Sequence, residues 1–138
     1  MKEYEILEHP ADLKIKAWGQ DLPEVFINLA KGLASQQISD LKQDTSHRSW
    51  EEIKVESPDL ESLLVDWLNE ILYQGEINQK VYLDFQVLEF SQQPYKVRTK
   101  IRGRPVQTKN IEIKAATYHD LEIKKVDDHW QAVVVFDI

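Results

Sequence analysis

The sequence predicts an α+β fold: two main helices packed on a mostly antiparallel sheet, in a single domain spanning residues 1–138. Three observations predict it. Within residues 60–72, Leu60, Leu63, Leu64, Trp67, Leu68, Ile71 and Leu72 recur at the i, i+3, i+4, i+7 spacing of one helix face. Asp59, Ser62, Asp66, Asn69 and Glu70 take the opposite, wet face. Period-two alternation marks residues 13–18 and 130–138 as strands, and two long extended runs, 81–90 and 95–104, meet at Gln92-Gln93-Pro94 as a hairpin.

In chain order, residues 3–8 read as a short strand that ends at His9-Pro10, because proline has no N–H for a ladder and forces its predecessor to be extended. Asp12 stands at the mouth of the next strand, where Leu13, Ile15 and Ala17 alternate with Lys14, Lys16 and Trp18 before Gly19 closes it. Asp21 caps a first helix, with Pro23 and Glu24 in its opening turn and Val25, Phe26, Leu29, Ala30 and Leu33 as its apolar stripe. Residues 36–48 are polar and aperiodic, a loop, and 50–55 form a third strand.

Ser57 as cap and Pro58 as first helical residue predict the start of the second helix, and Gly75 its stop. Burying its apolar stripe is worth about 10–20 kcal/mol gross, so the sheet is expected to wrap this helix. In the long strand that follows, Val81, Leu83, Phe85, Val87 and Glu89 are expected on one face and Tyr82, Gln86, Leu88 and Phe90 on the other. Residues 111–117 and 121–125 read as further extended pieces, and Asp127-Asp128 as a tight turn. The last strand then puts Trp130, Ala132, Val134, Phe136 and Ile138 on one face, and Gln131, Val133, Val135 and Asp137 on the other.

Composition narrows the function. A net charge of −7 and a pI near 5.1 disfavour nucleic-acid binding by the molecule as a whole. The absence of cysteine excludes disulfides, thiol nucleophiles and thiolate metal sites. No apolar run approaches the length of a membrane span and no basic-then-apolar leader opens the chain, so a soluble cytoplasmic protein is expected. No Gly-x-Ser-x-Gly elbow or Gly-rich phosphate loop supports nucleophilic catalysis.

Several side chains carry possible chemistry. If the strands that begin after Asp12 and stop at Asp137 are antiparallel neighbours, the two acids share one end of the sheet, and the α-carboxylate of Ile138 adds a third oxygen donor. Three such groups repel unless a cation joins them, and hard oxygen ligands suit Ca²⁺ or Mg²⁺. The plainer reading, which the spacing alone favours, has Asp12 bonding turn amides and Asp137 solvated. His9 and His119 have no zinc-type spacing and read as turn or surface histidines, and His47 and His129 carry no role. Lys96, Arg98, Lys100, Arg102 and Arg104 alternate with Val97, Thr99 and Ile101, so one strand face is a row of cations. It could meet RNA phosphates or an acidic partner, or be a solvated edge-protecting face. Lys114, between Ile113 and Ala115, is either buried beside a carboxylate or points outward.

Together these blocks resemble the archease family: His9-Pro10-Ala11-Asp12, then Gly19 with Leu22-Pro23-Glu24-Val25-Phe26, then Leu63-Leu64-Val65-Asp66-Trp67-Leu68-Asn69-Glu70. Lys114-Ala115-Ala116-Thr117-Tyr118-His119 and the terminal Phe136-Asp137-Ile138 complete the match, while Pro10 stands where the family usually shows threonine. Residues 80–109 carry little of the likeness.

The resemblance implies a non-enzymatic accessory protein of the GTP-dependent RNA ligase that joins 2′,3′-cyclic-phosphate or 3′-phosphate ends to 5′-hydroxyls. Such a protein speeds ligase guanylylation and sustains turnover in tRNA splicing or RNA repair, meeting RNA through the ligase. It also implies a divalent-metal site, Ca²⁺ foremost with Mg²⁺ or Mn²⁺ as alternatives, whose ligands map onto Asp12, Asp137 and Ile138. Lys114 matches a family lysine that supports activity. Two other readings stand beside this one: an RNA-binding chaperone module acting through the cationic strand face, and a metal-dependent hydrolase, for which no general base is identifiable.

Overall fold

The computed structural model describes residues 2–7, 11–41 and 44–138. The strands are antiparallel throughout their recorded pairings, but they divide into two sheets instead of one sheet wrapping the second helix. The larger sheet contains β1 (Tyr4–Leu7), β2 (Leu13–Gly19), β6 (Ala115–Ala116), β7 (Glu122–Val126) and β8 (His129–Asp137). Its order is β1-β2-β8-β6, with β7 also on β8, so two short strands share one edge of β8. The smaller sheet is β3 (Glu51–Ser57), β5 (Tyr95–Pro105) and β4 (Lys80–Gln92), with β5 in the middle.

Two helices join the sheets. Helix α1 (Leu22–Gln37) packs on β1, β2 and β8 and reaches β4, while α2 (Leu60–Asn78) packs on β3, β4 and β5 and reaches β6. The core is continuous across all of them. Phe26 of α1 lies 5.6 Å from the ring of Trp67 of α2 and meets Phe90 of β4 edge-on at 5.1 Å. Leu63, Leu64, Trp67 and Leu68 are fully buried, as the apolar stripe of α2 requires.

Helix α1 begins as its sequence dictates: the Asp21 carboxylate accepts the N–H of Glu24 at 2.9 Å. Helix α2 departs from expectation at both ends. Its N-cap is Asp59, which accepts the N–H of Ser62 at 2.7 Å, because β3 runs on to Ser57 and leaves that residue extended. The Ser57 hydroxyl donates instead to Asp66 at 2.7 Å. The helix continues through the buried Gly75 and stops at Gln79, in the left-handed region at φ 52°.

The expected face alternation of β4 also fails, for a local reason. Register shifts at Tyr82/Asp84 and Val87/Glu89 reset which side points inward. Val81 and Tyr82 are therefore both buried, and Phe85 and Phe90, expected on opposite faces, both pack on the core. Of residues 111–117 only Ala115–Ala116 pair as strand, and the strand end expected at His9-Pro10 lies outside the described residues.

Candidate functional site

The register of the larger sheet decides what meets at its end. Leu13 pairs with Phe136 in the antiparallel β2–β8 ladder, so one step further brings Asp12 abreast of Asp137. On the other side of β8, Ala115 pairs with Asp137, and one step further brings Lys114 abreast of Ile138. The Lys114 N–H donates to the Asp137 carbonyl at 2.8 Å and ties that strand down. The pattern that placed two acids at one sheet end is thus realised, with Lys114 on the opposite flank. Ala11, at φ 66°, turns the chain in the left-handed region just before Asp12.

Asp12 is partly buried, whereas Lys114, Asp137 and Ile138 are exposed, so this end faces solvent and is open to a partner. Its donors are hard: two side-chain carboxylates together with the oxygens of Ile138, a set that suits Ca²⁺, Mg²⁺ or Mn²⁺ over softer ions. Among the described residues no three His, Cys, Asp or Glu side chains cluster for a metal, so a cation here would draw on the main chain at Ile138. Lys114, just before β6, is exposed and not buried beside a carboxylate.

The site's scaffold includes a residue that periodicity cannot single out. Asn69, on the polar face of α2, accepts the Ala116 N–H at 2.7 Å and donates to the Ala116 carbonyl at 3.2 Å. Its one sequence-level signal is membership of the block from Leu63 to Glu70. Thr117 secures the other edge, its N–H and hydroxyl both donating to the Val135 carbonyl, at 3.0 and 2.8 Å.

The cationic strand face takes a different form. β5 is the central strand of its sheet, so acids on both neighbours reach its cations. Lys96 pairs with Glu89 at 3.4 Å, Arg98 with Glu52 at 3.3 Å and Glu89 at 3.5 Å, and Arg102 with Asp84 at 3.0 Å. Asp84 also accepts from the Thr45 hydroxyl. The hydrogen bond from Lys96, then its charge, holds the Glu89 carboxyl below the usual carboxylate range. Trp50 lies over the Arg102 guanidinium at 4.2 Å, an aromatic contribution from β3's approach rather than from β5 itself. Lys100 faces Glu52 and Gln86 in register, and Arg104 lines an open groove with Ser39, Thr108 and Asn110. His119 lies beside Asp120 at 3.4 Å and His129 beside Asp128 at 3.7 Å, His47 is exposed, and His9 lies outside the described residues.

The sequence profile described as the Archease protein family (MTH1598/TM1083) matches residues 4–138. The chain belongs to the archease family. Among curated archeases, that of Methanosarcina barkeri is 41% identical over 143 residues, covering 99% of this chain and 97% of its own. The archease of Pyrococcus abyssi is 36% identical over 144 residues and covers both chains completely. The solution structure of Methanobacterium thermoautotrophicum protein 1598 superposes with a TM-score of 0.76 at 26% identity over the whole of both chains. The crystal structure of an archease, described as a possible chaperone, from Thermotoga maritima has a TM-score of 0.69 at 20% identity, covering 96% of this chain and 94% of that one, and shares the fold. Among the described residues of this archease, no helix is long and apolar enough to cross a membrane.

Proposed function

We propose that this archease is a non-enzymatic accessory protein of the GTP-dependent RNA ligase that joins 3′-phosphate or 2′,3′-cyclic-phosphate ends to 5′-hydroxyls. It promotes guanylylation of that ligase and its multiple turnover, in cytoplasmic tRNA splicing or RNA repair. The convergence of Asp12, Asp137, Ile138 and Lys114 at one solvent-facing end of the sheet carries this reading. Family membership supports it, and the description of the Thermotoga protein as a possible chaperone accords with an accessory role.

Transfer of a nucleotidyl group demands positioning and charge neutralisation more than covalent help. The end of the sheet can offer both. Asp12 and Asp137, with a main-chain oxygen of Ile138, would hold a divalent ion, Ca²⁺ foremost with Mg²⁺ or Mn²⁺ as alternatives. When bound, that ion would supply neutralisation of phosphate charge. Lys114 adds a cation of the chain's own on the opposite flank of β8, where it can meet a phosphate or an acidic group of the ligase. The ladders on both flanks of β8 end within one residue of these groups, which holds their main chain beside β8 before a partner arrives.

The test is transfer of GMP from GTP to the ligase, with the full-length protein, Asp12→Ala, Lys114→Ala and a form extended by several residues past Ile138. Wild type should accelerate guanylylation, and each change should remove most of the stimulation. Undiminished stimulation by Asp12→Ala and the extended form together would overturn the mechanism. The alternative, an RNA chaperone working through Lys96, Arg98, Lys100, Arg102 and Arg104, draws support from the Trp50–Arg102 stack but has much of its charge engaged by Glu52, Asp84 and Glu89. Steeply salt-dependent tRNA binding without ligase would favour it instead.

A further inference from the structure

We propose that Asn69 is a positioning residue for Lys114, clamping β6 to helix α2 as a substitute for a neighbouring strand. β6 is only two residues long, and β8 serves one of its edges. Its other edge faces α2, whose interior peptide groups are already paired along the helix and offer nothing to a strand. A primary amide carries a donor and an acceptor side by side, as a peptide group does. Asn69 uses both on one residue, accepting from the Ala116 N–H at 2.7 Å and donating to its carbonyl at 3.2 Å. Ala116 is 5% exposed, so water cannot replace this pair of bonds.

The consequence falls two residues away. Lys114 stands one residue before β6, held by its own N–H bond to the Asp137 carbonyl, so the clamp on Ala116 limits how far β6 and Lys114 with it can tilt along β8. Removing it leaves the segment attached, because Lys114 and Thr117 still donate to carbonyls of β8, and the Tyr118 hydroxyl still reaches Ser62 at 3.3 Å. The loss is one of aim. This inference rests on the role given to Lys114 in the proposed function; the clamp itself can be read without the ligase.

The experiment uses the full chain with Asn69→Ala, Asn69→Asp, Lys114→Ala and the double variant Asn69→Ala/Lys114→Ala. Ile53→Val, in the smaller sheet, serves as a control for general destabilisation. Asn69→Ala should cut ligase stimulation about tenfold and speed exchange of the Ala116 amide about a hundredfold, while Ile53→Val keeps full stimulation. Asn69→Asp, which retains the acceptor, should restore protection of that amide and part of the stimulation. The double variant should fall no lower than Lys114→Ala, since Asn69 acts through the lysine. Wild-type stimulation by Asn69→Ala, or losses that add in the double variant, would overturn the assignment. Wild-type stimulation by Lys114→Ala would overturn the assignment as well, whereas if the wild-type chain itself does not stimulate, the ligase reading fails. The clamp is then judged by the amide signals of Lys114 and Asp137, and unchanged signals in Asn69→Ala would overturn it too.

Discussion

Thr99→Val tests a polar bond sealed between α2 and the smaller sheet. Trp67 and Thr99 are both fully buried, and the indole Nε1–H donates to the Thr99 hydroxyl at 3.0 Å. Valine keeps the shape of threonine but removes the acceptor, so the indole N–H is left with neither protein nor water. An orphaned buried donor costs about 1–3 kcal/mol, and the methyl that valine adds recovers a part, leaving a net loss of about 1.5 kcal/mol. For a chain of this length that loss is about 5 °C in Tm. Trp67→Phe removes the donor and also opens space between Phe26 and Phe85, whose rings lie 5.6 and 6.3 Å from Trp67; its expected cost is about 2–3 kcal/mol. With both changes no orphan remains, so the double variant should be about 1 kcal/mol more stable than the summed single losses predict. Urea unfolding followed by far-UV circular dichroism measures all three. A neutral Thr99→Val, or strict additivity to within about 0.4 kcal/mol, would refute the argument.

Gly103→Ala should be among the most damaging single changes, by about 3 kcal/mol in urea unfolding, because the new Cβ would lie 2.0 Å from the Val81 carbonyl oxygen and 2.7 Å from the Tyr82 Cα, backbone that cannot swing away. Gln79→Gly should stabilise by about 0.5–1 kcal/mol, read as a higher Tm, since Gln79 holds φ 52° at the end of α2 where glycine carries no Cβ penalty. Stability should fall on acidification through two carboxylates held below their ordinary values of 3.8 and 4.5: Asp59, by the hydrogen bond from the Ser62 N–H, and Glu89, by the bond from Lys96. A depressed folded pKa contributes stability above the unfolded value that is lost as pH drops through the folded one. Asp59→Asn with Glu89→Gln should therefore flatten the acid limb of a stability–pH curve, and carboxyl NMR titration should give both groups midpoints below those values.

What the sequence revealed followed the reach of its signals. The α2 stripe and the Asp21 cap depend on residues a few positions apart, and both stand as expected. The start of α2 was misplaced because Ser57 and Pro58 satisfy the local rules for a helix entrance, while pairing of Ser57 with Tyr95 across the smaller sheet overrides them. The β4 register shifts are invisible to period-two counting, since a bulge cancels the period it interrupts. The division into two sheets was missed for a related reason: alternation shows that a strand has an inner face, not which sheet owns it. At the candidate site, alternation with antiparallel pairing sufficed to bring Asp12 and Asp137 together, but the flanking place of Lys114 depends on a two-residue strand that no periodicity can register. The cationic row was visible in the sequence, but its acid partners were not, because Glu52 comes from a strand distant in the chain, and the register shifts of β4 decide where Asp84 and Glu89 fall along its hairpin partner.

The pairing of β2 with β8 has a consequence for the order of assembly. It joins Leu13 to Phe136, whereas β4 and β5 are linked by a tight hairpin. Closing a loop of roughly 120 residues costs about 3 kcal/mol more chain entropy than closing one of a few residues. The hairpin can therefore form early from its own neighbourhood, and the ladder between the two distant strands must await a compacted chain. Pulse-labelled amide exchange during refolding should find β4 and β5 protected before β2 and β8. The end of the sheet where Asp12 meets Asp137 would then mature with the last cooperative step, so a partially folded molecule could not present it.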